Sequence, residues 1–222
     1  MPFSDMMTPR QKHLARVQYI THTNGHIGYV EGAEKALQGG CRWIQLRMKG
    51  ASDDDVRRAA MTIMPLCRHY NAVFIIDDRV LLARELHADG VHIGKNDMPV
   101  AQARQLLGDS YIIGGTANTA ADIALLAANG ADYIGCGPFR FTTTKQNLAP
   151  VIGLEGYKRI IDDTKAKGIA LPIVAIGGIT RNDIPAIIAA GVSGIALSGA
   201  VINAPDPAEE MRQTVKMMYH DI

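Results

Sequence analysis

Short apolar runs alternate with longer amphipathic ones from Val17 almost to the end of the chain. Val17-Gln18-Tyr19-Ile20 reads as a strand, and residues 31–37 as a helix stopped by Gly39-Gly40. Residues 42–47 read as the second strand. Ser52, followed by Asp53, Asp54 and Asp55, starts a helix that runs to about Tyr70, because a capping hydroxyl and first-turn acids both suit a helix N-terminus. The third strand covers 72–76 and ends in Asp77-Asp78, a helix follows over 79–86, and 90–93 is the fourth strand. Pro99 opens the next helix. A fifth strand over 111–114 precedes an Ala-rich helix over 119–128 that stops at Asn129-Gly130. Residues 132–134 end a sixth strand, and helix 154–167 leads to a seventh over 172–176. Thr180 and Asp183 have capping-box spacing, 194–197 is the eighth strand, and 207–219 the last helix. The strands are apolar on both faces, as buried parallel strands are. Unbroken alternation of this kind predicts an α/β protein, a single-domain TIM (β/α)8 barrel over residues 13–222 with a loosely held leader over 1–12. A doubly wound open sheet is the fallback.

Composition narrows the partners. The 222 residues include 23 basic and 22 acidic side chains, a net charge of +1, which gives no electrostatic case for nucleic acid or an anionic membrane. No apolar stretch approaches the length of a membrane span, and the first residues lack a signal peptide's basic start and apolar centre. Cys41, Cys67 and Cys136 are odd in number and lack a C-x-x-C pair, so they fit a reducing, cytoplasmic compartment. Small-molecule substrates are the expected partners. Oligomeric state stays open, a homo-oligomer included.

Active sites of this fold lie at the C-terminal ends of the strands. Gln45, Arg47 and Lys49 share one face of the second strand's end, where a donor, a guanidinium and an ammonium suit a pyrophosphate or simply a solvent-facing edge. Asp77 and Asp78 end the third strand and Asp97 follows the fourth. Singly, each aspartate suits helix capping. Beside a cationic strand end, they suit magnesium, which takes one or two carboxylates plus phosphate oxygens. The fifth strand brings Thr116, and the sixth opens into Gly137-Pro138-Phe139-Arg140-Phe141-Thr142-Thr143-Thr144-Lys145. Three hydroxyls and an ammonium beside a Gly-rich strand end suit a phosphorylated ligand. Gly177-Gly178 and Ser198-Gly199 end strands seven and eight, the usual phosphate site of barrels. His92 alternates with Val91 and Ile93 and reads as a packed strand residue. His22 and His26 lack a third ligand for zinc.

Taken in order, Gln45-Leu46-Arg47-Met48-Lys49, Ile76-Asp77-Asp78-Arg79, Gly90 to Gly94 with Asp97, Gly137-Pro138 through Lys145, and Ala175 to Thr180 resemble the thiamine phosphate synthase family across residues 17–203. The resemblance implies a magnesium-dependent transferase. Hydroxymethylpyrimidine pyrophosphate would lose pyrophosphate, and the nitrogen of a thiazole phosphate would take the exposed methylene carbon through a pyrimidine-stabilised carbocation. It implies that Gln45, Arg47, Lys49, Asp77, Thr116 and Lys145 bind the pyrimidine pyrophosphate, and that Asp78 and Asp97 hold Mg2+. Thr142, Thr143, Thr144, Gly178, Leu197 and Ser198 would bind the thiazole phosphate.

Some positions depart from the family pattern. Asp77 stands where asparagine is usual, with Lys95 as a candidate partner for its charge. Thr116 replaces serine, Asn118 replaces histidine, and Arg140 and Phe141 enlarge the loop before the threonines. The rival readings are a thiazole tautomerase relative and a non-catalytic barrel that binds thiazole or thiamine phosphate. The first does not need Arg47, Lys49, Asp78, Asp97 and Lys145 together, and the second would keep Gly178 and Ser198 but be insensitive to magnesium.

Overall fold

The computed structural model describes residues 14–142 and 149–220. The elements run β1 (Val17–Ile20), α1 (Tyr29–Gln38), β2 (Trp43–Leu46), α2 (Asp53–His69), β3 (Val73–Asp77), α3 (Val80–Glu85), β4 (Gly90–Ile93), α4 (Val100–Leu107), β5 (Ile112–Ala117), α5 (Ala120–Ala128), β6 (Tyr133–Cys136), α6 (Gly153–Ala166), β7 (Ile173–Ile176), a 3-10 turn (Arg181–Asp183), α7 (Ile184–Ala189), β8 (Gly194–Leu197), α8 (Gly199–Ile202) and α9 (Pro207–His220). All neighbours pair in parallel, and β1 closes on β8 with Tyr19 opposite Leu197. The chain is thus a closed eight-stranded barrel ringed by helices. Among the described residues no helix is long and apolar enough to cross a membrane. The leader expected over 1–12 lies outside the described residues.

Strand alternation builds two cores. Tyr19, Ile44, Leu46, Phe74, Ile76, Val91, Ile113, Ile134 and Leu197 pack outward against the helices. Ile20, Trp43, Ile75, Ile112, Tyr133, Val174 and Ala196 fill the barrel. Trp43 and Tyr133 meet edge to face at 4.7 Å inside it. Two rings of that size need room. A Cβ on Gly114 would lie 2.1 Å from Tyr133 Cζ, and one on Gly135 would lie 2.8 Å from His92 Cε1. These glycines, which the sequence offers as strand ends, are interior strand positions, so β5 runs on to Ala117 and β6 to Cys136. The four-residue α8 was not among the expected elements; Ser198 is its N-cap residue.

Caps and charges fix the other boundaries. Ser52 accepts from the Asp55 N–H, and Thr119 with Asp122 forms a reciprocal capping box at α5. The N-terminal end of the barrel is tied by Arg104, which donates to the Asp132 carboxylate at 2.5 Å and to the carbonyls of Gly108, Tyr111 and Gly130. The same carboxylate accepts from the Ile113 N–H at 2.8 Å.

Candidate active site

The strand-end residues that period two places on one face converge at the C-terminal mouth. Gln45 points inward from β2 and donates from Nε2 to Asp77 Oδ1 at 2.6 Å. Arg47 Nε lies 3.4 Å and Lys49 Nζ 3.8 Å from Asp77 Oδ2. The cationic partners of Asp77 therefore lie just past the end of β2. Lys95 is not one of them: its ammonium lies 2.7 Å from Asp122 Oδ2, because the β4 loop carries it outward toward α5. Burial is the largest influence on Asp77, and with the neighbouring Asp78 charge it outweighs Arg47 and Lys49. The carboxyl is pushed up to about 7.

Asp78 is aimed differently. It has φ 63°, a left-handed conformation that aspartate tolerates better than most residues. Its N–H donates to the His92 carbonyl at 2.8 Å, while the Arg79 N–H donates to the Asp77 carbonyl at 2.8 Å. From this tight turn the Asp78 carboxylate accepts from Lys49 and meets both Asp97 and Asp77. Asp97 in turn accepts from the Gly94 N–H at 3.0 Å. Burial raises Asp78, but hydrogen bonds from Asp97 and Lys49 prevail and hold it below its usual range. Asp97 is raised, by burial first and then by Asp78. Two carboxyls thus meet beside an ammonium. Two hard oxygen donors in contact, open to a phosphate, fit a magnesium ion that takes its remaining ligands from phosphate and water. Among the described residues no group of three or more His, Cys, Asp or Glu could hold a metal by itself.

On the opposite side, Gly178 lies in the left-handed region at φ 68°, and a Cβ there would come within 3.0 Å of Arg140 Cβ and the Phe141 carbonyl oxygen. Arg140 grips Asp183 with both terminal nitrogens, at 2.9 and 2.7 Å, and donates to the Gly178 carbonyl at 2.9 Å. The loop after β6 is thereby fastened to the glycine turn after β7. Asn118 donates to the Gly137 carbonyl at the base of the same loop. Ser198 is at the mouth, and its Oγ is buried without a hydrogen-bond partner. Gln45 Oε1 is a second such orphan within the site. The Leu197 side chain belongs to the outer core, so only its main chain faces a ligand at the mouth.

Thr116 points inward from β5, and His92 Nε2 lies 3.0 Å from its hydroxyl. Thr142 closes the described part of the β6 loop. Thr143, Thr144 and Lys145 lie outside the described residues. Three interior residues escaped the sequence reading: Gln18, Tyr133 and, as more than a packing residue, His92. The inward alternation of β1, β4 and β6 was their one signal. Hollows of about 640 and 570 Å3 open at the other end of the barrel, around Asp89 and Tyr111 and around Arg16 and Trp43. Neither has the paired carboxylates and paired cations of the C-terminal mouth.

Comparison with known proteins matches this arrangement to one family. The family model for thiamine monophosphate synthase covers residues 17–201. A thiamine-phosphate synthase of Bacteroides fragilis is 56% identical over 201 residues, 90% of this chain and 98% of the relative. One from Flavobacterium psychrophilum is 43% identical over 203 residues, 91% of this chain and 98% of the relative. The solved thiamine phosphate pyrophosphorylase of Pyrococcus furiosus superimposes with a TM-score of 0.83 at 33% identity, over 96% of this chain and 98% of that one. The chain belongs to the thiamine monophosphate synthase family.

Proposed function

We propose that this protein condenses hydroxymethylpyrimidine pyrophosphate with a thiazole phosphate to give thiamine phosphate and pyrophosphate, in a magnesium-dependent reaction. The observation that carries this reading is the convergence of Arg47, Lys49, Asp78 and Asp97 at one mouth, with two buried polar atoms there still lacking partners. Gln45 Oε1 accepts only, so it calls for an N–H of the pyrimidine rather than a phosphate oxygen. Ser198 Oγ can donate to the thiazole phosphate.

In the reaction the methylene carbon–oxygen bond breaks, the bonding pair leaves with pyrophosphate, and the thiazole nitrogen lone pair forms the new carbon–nitrogen bond. No protein nucleophile is needed. Arg47 and Lys49 hold the leaving group's charge, joined by Lys145, and release from Asp77 and Asp78 frees them to do so. Asp78 and Asp97 would hold Mg2+, which when bound offsets charge on the pyrophosphate. Gly178 and Ser198, with Thr142, Thr143 and Thr144, keep the thiazole phosphate in line behind the methylene carbon. The enzyme is placed in the cytoplasm, where the free, buried thiols Cys41, Cys67 and Cys136 stay reduced.

The test mixes both substrates with purified protein and magnesium and follows thiamine phosphate and pyrophosphate. A folded protein that forms neither would refute the proposal.

A further inference from the structure

A hydrogen-bond chain crosses the barrel interior and ends at the active-site mouth. Gln18 Nε2 donates to Tyr133 Oη at 3.4 Å. Tyr133 Oη lies 2.9 Å from His92 Nδ1, and His92 Nε2 lies 3.0 Å from Thr116 Oγ1. Gln18 and Tyr133 are fully buried and His92 nearly so. The two rings sit 5.5 Å apart in the notches left by Gly114 and Gly135. No step of the proposed reaction uses these three residues.

The chain has a direction. An amide N–H can only donate, so Tyr133 Oη accepts from Gln18 and turns its own proton toward His92. His92 Nδ1 then accepts, which places the ring proton on Nε2. Nε2–H donates to Thr116 Oγ1. With that lone pair engaged, the Thr116 hydroxyl proton is left to point away from the imidazole. We infer that Gln18, Tyr133 and His92 are positioning residues that set Thr116 as an outward hydrogen-bond donor to the bound substrate. The hydroxyl would otherwise rotate freely between donating to the imidazole and donating to the ligand. The inference rests on the synthase reading for the identity of that ligand.

The direction can be reversed without touching the mouth. Gln18→Glu replaces the donor with an acceptor of nearly equal size, so Tyr133 would donate to the new carboxylate. His92 would then carry its proton on Nδ1, and Thr116 would donate inward to Nε2. Gln18→Met removes the donor without adding an acceptor and leaves the direction intact. Long-range 1H–15N NMR of histidine-labelled protein reads the His92 tautomer and needs no substrate. The expected result is Nε2–H in the native chain and in Q18M, and Nδ1–H in Q18E. Q18E should also lower kcat/KM by roughly tenfold to a hundredfold, the usual worth of a hydrogen bond to a charged ligand. In a Thr116→Val background the same substitution should change it by about twofold or less.

A native Nδ1–H tautomer overturns the inference. So does a Q18E loss that is as large with Val at 116 as with Thr, because that marks general damage to the barrel. A silent native enzyme that still shows the tautomer reversal removes the synthase reading and keeps the relay.

Discussion

Asp77→Asn tests the charge balance of the site in a way that needs no substrate. Asp77 is 4% exposed, and burial together with Asp78 lifts its carboxyl to about 7 despite Arg47 and Lys49. In the unfolded chain the same group titrates at about 3.9. The folded protein therefore holds a proton that the unfolded chain has already lost, and stability falls as pH rises between these values. The interval is roughly three pH units at ~1.4 kcal/mol each, so the fall amounts to on the order of 4 kcal/mol. Asparagine has the same shape, still accepts from Gln45, and does not titrate. Denaturant unfolding of both proteins in magnesium-free buffer from pH 4 to pH 8 gives the difference curve, in which carboxylates remote from Asp77 and its neighbours Asp78 and Asp97 cancel. The variant should gain on the native chain steadily between pH 4 and 7 and hold its lead above. A difference that stays flat across the range, or a native chain that gains as pH rises, would refute the reasoning and make Asp77 an ordinary ion-paired carboxylate.

Three further outcomes are expected. Asp97→Ala removes one of the two carboxylates proposed to hold magnesium and should slow turnover on the order of 10²-fold or more with little change in melting temperature, and a chelator should silence the native enzyme in the same assay. Gly114→Ala forces a methyl to within 2.1 Å of Tyr133 Cζ and should cost ~3 kcal/mol of unfolding free energy, read by urea titration. Arg104→Ala removes the cation beside the buried Asp132 carboxylate and strips donors from three carbonyls, a loss of about 3 kcal/mol that calorimetry should show as a melting temperature lowered by roughly 6–12 °C.

The order of elements was legible because it rests on local rules. The Ser52 and Thr119 caps and the apolar runs of β4 and β8 need no distant partner to be read. The ends of β5 and β6 were not legible, since glycine normally stops a strand and here it makes room for a ring from elsewhere in the barrel. At the site, period two alone placed Gln45, Arg47 and Lys49 on one face. It said nothing of what they would face. Lys95 and Asp77 look like natural partners by charge, yet Asp77 pairs with the end of neighbouring β2 and Lys95 with α5.

The sequence by itself determined the alternation of strands and helices, the barrel it closes into, and which strand ends carry the candidate site residues. Those follow from periodicity, capping and composition, all within a few residues of the chain. Only the tertiary structure decided that Asp78 meets Asp97 as well as Asp77, that Arg140 fastens one loop to another through Asp183, and that a polar chain runs from Gln18 to Thr116. Each of these depends on distances between residues far apart in the chain, and on hydrogen-bond direction and burial, which have no local signature.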